Sequence, residues 1–162
     1  MSASAAPAQP LIAPEQPGDA FGVEAVVAAA FGPGRFAKTA ERLREGSNPI
    51  AGFVARGGAR VVGSVRLWPI TIGDTPAAFL GPIAVDEVHR KGGLGARLVE
   101  AAVGAADALG LPAVLLVGDV PYFGRFGFER AVDVTLPGPV DARRLLVRVL
   151  KGAAPTGKVY KL

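Results

Sequence analysis

The chain of 162 residues contains no cysteine, one histidine and one tryptophan. The absence of cysteine excludes a disulfide framework, a thiol nucleophile and a thiolate metal site. His89 alone cannot form a histidine-rich metal site, so we expect no metal. Aromatic residues make up only 7% of the chain, but 50% of the residues are hydrophobic. A chain of this length and composition predicts one folded domain with its own core.

Long hydrophobic runs are also missing. The longest apolar stretch, residues 108–118, is broken by Pro112 and is too short to cross a bilayer. Residues 1–10 are rich in Ala, Ser and Pro without a basic residue, which predicts a mobile lead-in rather than a signal peptide. We therefore expect a cytoplasmic protein with a single domain over residues 11–162.

Acidic residues are fewer than basic ones, with 14 Asp and Glu against 18 Lys and Arg, a net charge of +4 and a pI of about 9.9. A basic chain raises the question of nucleic-acid binding. The basic residues are spread along the sequence rather than gathered into one stripe. We therefore rank nucleic-acid binding well below the binding of a smaller polyanion.

Hydrophobic periodicity predicts strands and helices that alternate along the chain. Strands are expected near Leu11 and at about 52–56, 60–72, 78–85, 113–118, 128–136 and 145–150, and helices at about 19–31, 36–45 and 93–109, with a short one near Pro121. This order is typical of a mixed α/β sheet. Pro69 and Pro82 cannot donate to a strand ladder, so Pro69 predicts a bulge or an edge and Pro82 predicts a local break in pairing.

Two of these helices have apolar faces that predict how they pack. Asp19 can cap the first helix. Its buried face would carry Val23, Val26, Val27 and Ala30, and the buried face of the long helix would carry Leu94, Leu98, Ala101 or Ala102, Ala105 and Leu109.

The most informative segment is the turn between the predicted strand 78–85 and the long helix. It contains Gly92, Gly93 and Gly95, which let the backbone approach a ligand closely, and it opens a helix whose first N–H groups are unpaired. An anion is stabilised at such a helix start, and Arg90 and Lys91 add positive charge. The segment therefore predicts a phosphate-binding loop, although glycines that only allow tight packing explain a short motif about equally well.

Two familiar phosphate loops do not match. The Walker pattern requires a Gly-Lys-Ser or Gly-Lys-Thr triplet, which the chain lacks. The dinucleotide fingerprint requires a third glycine where Leu98 stands. The remaining pattern, Arg90-x-x-Gly93-x-Gly95, resembles the coenzyme A pyrophosphate loop of the GNAT acyltransferase superfamily. Residues 119–128, which end in Gly127 and Phe128, are similar to its short second helix and closing Gly-Phe.

Within this superfamily, the chain most resembles small bacterial proteins known only as predicted N-acetyltransferases. The resemblance implies a single-domain fold with a mixed, mostly antiparallel sheet flanked by helices, whose central strands splay apart. It also implies direct transfer of an acetyl or short acyl group from acetyl-CoA, the acyl donor, to an unidentified amine in a ternary complex. Family members are often dimers, so a homodimer is compatible with the sequence.

The resemblance also assigns roles to backbone groups. The backbone of Ile83, Ala84 and Val85 would bind the pantetheine arm, and the Ile83 N–H would polarise the thioester carbonyl. The pyrophosphate would lie on the amides of Lys91, Gly92, Gly93, Leu94, Gly95 and Ala96, with Arg90 beside them. Plain core packing would explain the side chains of Ile83 to Val85 equally well.

The chain departs from the family pattern at the proton donor. The tyrosine that many members place four residues before the closing glycine is Phe123 here. Tyr122 is the best remaining candidate for the general acid, although one residue turns a helix by about 100°. A half-buried tyrosine bonded to the backbone is the alternative, and solvent can also protonate a thiolate.

No base is assigned, because the predicted strand 78–85 contains no ionisable residue. Asp86, Glu87, His89 and Asp119 remain open, with His89 expected in a solvated turn and Asp119 as a helix cap. Trp68, Arg66 and residues 35–44 are candidates for the acceptor pocket by position, although an ordinary sheet residue and solvated arginines explain them better. A non-catalytic acyl-CoA-binding module is the alternative function.

Overall fold

The computed structural model describes residues 9–32 and 38–162. Ten strands lie in these residues: β1 (Leu11–Pro14), β2 (Ala51–Gly57), β3 (Arg60–Ile72), β4 (Thr75–Leu80), β5 (Ala84–Val85), β6 (Ala113–Val117), β7 (Glu129–Arg130), β8 (Val134–Thr135), β9 (Leu145–Val149) and β10 (Gly157–Lys161). The α-helices are α1 (Ala20–Phe31), α2 (Thr39–Arg42), α3 (Leu94–Ala108) and α4 (Val120–Phe123). Short 3-10 helices cover Pro17–Asp19, Glu87–Gly92, Gly124–Phe126 and Ala142–Arg144.

The strands form one mixed, mostly antiparallel sheet in the order β1-β2-β3-β4-β6-β9-β7. Along this path only β4 and β6 are parallel. β10 pairs antiparallel with the far end of β3 and parallel with β8. This is the fold class predicted from the sequence.

The central strands separate after Leu80. β4 and β6 pair only at Ala78 with Val114 and at Phe79 with Leu115. The chain then continues along β3 as β5, which pairs there with Gly63 and Ser64. The predicted strand 78–85 is therefore two strands, with the break at the predicted Pro82, and a gap opens between β5 and β6.

Pro69 lies where β3 changes its neighbour. β2 pairs with β3 as far as Leu67, and β10 pairs with β3 from Ile70 onward. The Pro69 carbonyl accepts from the Leu162 N–H at 3.1 Å. The carbonyl and the nitrogen of one strand residue point to the same side. The missing N–H of the proline therefore falls in the gap between two partner strands.

The helix α3 packs on the sheet with a face that differs from the predicted one. Leu94, Leu98 and Ala102 are buried as expected, but Val99, Val103 and Ala106 complete the face. Leu109 is 58% exposed, so its predicted burial is wrong. The reason is that α3 ends at Ala108 and Leu109 is already the C-cap. With 15 residues α3 is the longest described helix, and none in the described ranges is long and apolar enough to span a membrane.

The helix α1 packs on the opposite side of β3 through Val23, Val26 and Val27, as predicted. Asp19 is at its N-cap, but its carboxylate does not cap α1. It accepts from the Gln16 N–H at 2.7 Å and from the Arg56 guanidinium at 2.5 Å. The Gln16 amide and then the Arg56 guanidinium hold the pKa of Asp19 below its ordinary value.

Other boundaries also differ from the expectations. The second helix is only Thr39–Arg42, and residues 36 and 37 of its predicted range lie outside the described residues. The predicted strand 128–136 is two strands of two residues each, and β10 was not predicted. Residues 1–8 of the predicted lead-in are also outside the described ranges, while Arg97 donates to the side chain of Gln9 and the carbonyl of Pro10.

We expect Gly73→Ala to destabilise the fold more than Gly58→Ala. Both glycines have left-handed φ, +58° and +65°, so each alanine costs about 1–2 kcal/mol. A Cβ on Gly73 would lie 2.5 Å from the Thr156 carbonyl oxygen, whereas nothing lies within 4 Å of one on Gly58. The overpacking adds about 1–3 kcal/mol at Gly73. Urea unfolding of both variants measures the difference, and equal free energies of unfolding would contradict this packing at the start of β10.

Candidate functional site

The turn between β5 and α3 is built around Asp86 and Gly93. Asp86 caps the 3-10 helix Glu87–Gly92 by accepting from the Val88 N–H at 3.0 Å, and it also pairs with Arg60. Gly93 has a φ of +76°, in the left-handed region that favours glycine, and it is the N-cap of α3. The first turn of α3 therefore points its unpaired N–H groups outward beside this glycine.

A cavity of about 520 Å³ lies between this turn, β5, α1 and α4. Its lining comprises Ala30, Phe31, Ile83, Ala84, Val85, Arg90, Lys91, Gly93, Gly95, Ala96, Tyr122 and Arg125. Most of the site residues predicted from the sequence thus surround one cavity of a size usual for small-molecule ligands. Gly92 and Leu94 are not in the lining, and the Leu94 side chain is buried in the core at 2% exposure. Their predicted roles concern backbone amides only.

Positive charge gathers at the mouth of this cavity. Arg90 Nε donates to the Val85 carbonyl at 3.1 Å, which holds the guanidinium beside the end of β5. Lys91 follows in the same turn, and Arg125 comes from the 3-10 helix after α4. Arg125 lies over the Tyr122 ring, with 4.8 Å from its guanidinium carbon to the ring centroid. The mouth is therefore suited to an anion.

Tyr122 reaches the cavity from α4, and Phe123 does not. A Cβ on Gly95 would lie 2.7 Å from the Tyr122 hydroxyl oxygen, so this hydroxyl packs over the first turn of α3. Burial raises the pKa of Tyr122, and Arg125 opposes this increase. Phe123 is 8% exposed and packs edge-on against Phe128 in the core. The rotation of about 100° between neighbouring helical residues thus directs only the tyrosine to the cavity.

The four candidates for a general base lie outside this cavity, and Glu87 is exposed at the start of the 3-10 helix Glu87–Gly92. Asp86 pairs with Arg60, and Asp119 accepts from Arg144 Nε at 3.2 Å. Asp119 is the N-cap residue of α4, as expected, but its carboxylate makes no cap hydrogen bond. His89 is half-buried rather than fully solvated, and its Nδ1 is buried without a hydrogen-bond partner. In the described part of the chain, no Asp, Glu or His lines the cavity that contains Ile83.

A smaller cavity of about 160 Å³ lies between α1, β3 and the segment that contains α2. It is lined by Val23, Glu24, Val27, Glu41, Arg44, Ser64, Arg66, Trp68 and Pro82. Three side chains considered for the acceptor pocket, those of Arg44, Arg66 and Trp68, therefore meet here. Arg35, which was considered with them, lies outside the described residues.

Two of these side chains are held rigidly. Arg66 binds Glu15 with two hydrogen bonds of 2.9 Å, which raise the pKa of its guanidinium. Trp68 is buried and donates from Nε1 to the Gly81 carbonyl at 2.5 Å. The simpler expectation of a sheet residue fits Trp68, but Arg66 is a half-buried ion-pair partner rather than a solvated arginine.

Sequence reasoning missed several lining residues. Ala30 and Phe31 come from the end of α1, and Arg125 follows α4. Nothing in their local sequence separates them from ordinary helix residues. Ser64 had a signal, because it is the only polar side chain between Val61 and Val65 in an apolar strand.

The fold and the sequence define the same class of protein. The model of the Acetyltransferase (GNAT) family matches residues 23–128, which is more than half of the chain. The protein therefore belongs to the GNAT acetyltransferase family, as the resemblance implied.

Individual relatives agree with this assignment. The chain is 35% identical over 124 residues to the uncharacterized N-acetyltransferase YhbS of Escherichia coli K12, covering 75% of this chain and 74% of YhbS. It superimposes with a TM-score of 0.83 on a crystal structure of Escherichia coli YhbS in complex with CoA, at 31% identity over 99% of this chain and 94% of that one. A Brucella melitensis GNAT acetyltransferase in complex with acetyl-CoA shares the fold, with a TM-score of 0.75 and 23% identity over 94% and 95% of the two chains.

Proposed function

We propose that this protein transfers an acetyl group from acetyl-CoA directly to the nitrogen of an amine. The observation that carries the proposal is the cavity of about 520 Å³ that joins the end of β5 to the glycine-rich start of α3. Its apolar walls suit a thin, extended arm, and its basic mouth suits the phosphates at the end of that arm. The complexes of YhbS with CoA and of the Brucella protein with acetyl-CoA support this choice of donor.

In the proposed complex, the pyrophosphate lies against the amides of residues 91–96. Helix N-termini bind anions through unpaired N–H groups and the helix dipole. Arg90 and Lys91 add two full charges, and Arg90 is already oriented by its bond to the Val85 carbonyl. The pantetheine arm follows Ile83, Ala84 and Val85 in the gap that opens between β5 and β6.

The transfer step requires no covalent enzyme intermediate. The neutral amine attacks the thioester carbonyl carbon, and the developing oxyanion accepts a hydrogen bond from the Ile83 N–H. The carbon–sulfur bond then breaks and coenzyme A leaves as a thiolate. The thiolate takes one proton and the new amide nitrogen loses one, so the products are an acetamide and the free thiol.

Tyr122 is the proposed proton donor to the thiolate. Because burial raises the pKa of this tyrosine, its hydroxyl stays protonated throughout the neutral range. A protonated hydroxyl at the cavity wall is what a general acid requires. The proton lost by the amine passes to solvent, which returns one to Tyr122.

The alternative function is an acyl-CoA-binding module without turnover. Phe123, which stands at the usual tyrosine position, is buried in the core and has no proton to give. This observation favours the module over a transferase only if Tyr122 cannot replace the missing acid.

Release of free thiol from acetyl-CoA tests the proposal. We expect the protein to release thiol when amines are added, in a screen of small amines, amino acids and lysine peptides, and to form the corresponding acetamide by mass spectrometry. Calorimetric binding of acetyl-CoA without thiol release from any amine would favour the module. Absence of acetyl-CoA binding would overturn both functions.

A further inference from the structure

The helix α1 is apolar on its outer side as well as on the side that packs on the sheet. Of its 12 residues, only Glu24 has a polar side chain. Phe21 is 88% exposed, more than any other large hydrophobic residue in the described ranges, and Ala25, Ala28 and Ala29 are also exposed. A helix at the surface of a monomer normally carries charged residues on its outer side. The outer side of α1 therefore has the composition of a buried surface.

A groove of about 520 Å³ runs along this side of α1, and we call it the α1 groove. The helix lines it with Phe21 and with small residues that include Gly22, Ala25 and Ala29. Its other wall comes from the start of β3, the end of β5 and the 3-10 helix Glu87–Gly92. One surface thus presents both a projecting phenylalanine and, one to two helical turns further on, a space that can receive such a side chain.

A second copy of the chain has the complementary shape. In a contact around a twofold axis, residue i of one copy meets residue j of the other, and j meets i. When two α1 helices pack antiparallel with the axis at Ala25, Phe21 of each copy falls beside Ala29 of the other, because both lie four positions from Ala25. The large side chain then enters a groove whose helical wall is made of alanine and glycine.

The charges along the groove permit this contact. Arg60 and Asp86 form an ion pair in its wall, and Glu87 and Arg90 lie in the same wall. The lining therefore carries two positive and two negative side chains, although the whole chain has a net charge of +4. Repulsion between like charges opposes the approach of two identical charged surfaces. It is weak at this face, because the two signs balance there.

A lipid surface fits α1 less well than a second copy does. Helices that lie on membranes carry Lys and Arg on their polar side, where these residues attract anionic headgroups. The helix α1 contains no basic residue, and its one charged residue is an acid. The face is therefore better suited to an apolar protein surface.

The size of the face determines the strength of the contact. Full burial of an aromatic side chain removes about 150–250 Å² from water, so two copies of Phe21 supply about 300–500 Å². Stable interfaces bury about 1,600 Å² in total. With 12 residues α1 is only about 18 Å long, so its alanines and the groove walls add a limited area. A reversible dimer with a Kd in the micromolar range follows from this area.

We propose that this protein forms a homodimer through the outer side of α1, with Phe21 of each copy in the α1 groove of the other and Ala25 at the twofold axis. The inference concerns assembly and does not depend on the proposed function.

Sedimentation velocity over a range of protein concentrations tests the dimer. We expect wild type to dimerise reversibly and Phe21→Glu to raise the dimer Kd about tenfold or more, as loss of a central aromatic residue does. Phe21→Glu should fold normally, because the side chain is exposed and a carboxylate is favoured in the first turn of a helix. Leu109→Glu is the control, since Leu109 is 58% exposed at the end of α3, on the other side of the sheet, and its Kd should equal that of wild type.

Disulfide formation tests the register without removing Phe21. The chain contains no cysteine, so a single introduced thiol can pair only with its copy. Ala25→Cys should form a disulfide-linked dimer on oxidation, seen on a non-reducing gel. Ala29→Cys should not, because its two copies lie about 12 Å apart along the helices. A disulfide requires Cα atoms within about 7 Å of each other.

Three results would overturn the inference. Wild type that stays monomeric at every concentration would exclude the dimer, and an unchanged Kd in Phe21→Glu would place the interface elsewhere. Equal crosslinking of Ala25→Cys and Ala29→Cys would exclude the antiparallel register. Cosedimentation of monomeric wild type, but not of Phe21→Glu, with phosphatidylserine vesicles would assign this face to a membrane instead.

Discussion

Gly93→Asp is expected to weaken acetyl-CoA binding at least a hundredfold, whereas Gly93→Asn weakens it far less. Both side chains enter the same open space, since nothing lies within 4 Å of a Cβ on Gly93. Both also occupy the same left-handed backbone, with a φ of +76°. Asp and Asn tolerate this conformation better than most residues. The difference between them is therefore the negative charge.

The magnitude follows from the proposed position of the pyrophosphate. Two like charges about 4 Å apart repel by about 4 kcal/mol at an effective dielectric constant of 20. A hundredfold loss corresponds to about 2.7 kcal/mol, so even a partly screened charge is sufficient. The aspartate also neutralises the positive field of Arg90 and Lys91. Higher salt should reduce the difference between the two variants, because both charges are near solvent.

Isothermal calorimetry with acetyl-CoA measures this effect, with circular dichroism to show that each variant is folded. Gly104→Asp is the matched control, since Gly104 is an exposed glycine of α3 with open space around it and lines no part of the large cavity. Its Kd should equal that of wild type. Equal Kd values for Gly93→Asp and Gly93→Asn would show that the phosphates bind elsewhere.

Tyr122→Phe is expected to lower kcat about a hundredfold while changing the Kd of acetyl-CoA less than threefold. A positioned general acid contributes on the order of 10²–10⁴ to a rate, and solvent protonation of the thiolate supports the lower end. Phenylalanine keeps the edge-on packing against Phe123 and Phe126. The hydroxyl is therefore the main group removed.

The pH dependence provides a second signature. A general acid must be protonated, so the rate falls as pH rises through its pKa. Burial raises the pKa of Tyr122 from its ordinary value of 10.0, so the wild-type rate should persist to above pH 10 before it falls. The rate of Tyr122→Phe should not show this fall at high pH. It should keep any pH dependence that comes from protonation of the amine substrate.

Tyr160→Phe is the control for removal of a tyrosine hydroxyl. Tyr160 is the only other tyrosine, lies on β10 and is 57% exposed. Its kcat should match that of wild type. A weaker Kd for acetyl-CoA with an unchanged kcat in Tyr122→Phe would assign Tyr122 to phosphate binding instead, which its hydroxyl position over Gly95 also permits.

Local patterns predicted the elements around the proposed donor site well. The apolar end of β5, the three glycines and the amphipathic α3 are close together in sequence, so short-range spacing is sufficient to recognise a strand, turn and helix. Pro82 marked the break between β4 and β5, because proline cannot donate to a ladder. Errors arose where a short segment depends on distant partners. β10 forms only because Val159 and Tyr160 pair with β3, and Leu109 is exposed only because α3 ends before it.

The sequence by itself determined the class of protein and the glycine-rich turn before α3, because glycine conformation, charge and helix periodicity act over a few residues. Only the tertiary structure decided which side chains share a cavity. It directed Tyr122 rather than Phe123 to the cavity between β5 and α3, and it bound Asp86 and Asp119 to arginines. It also left the Ser64 hydroxyl without a partner beside β5. These outcomes depend on strand register and on the rotation of packed helices. Both are determined by contacts between residues that are distant in the sequence.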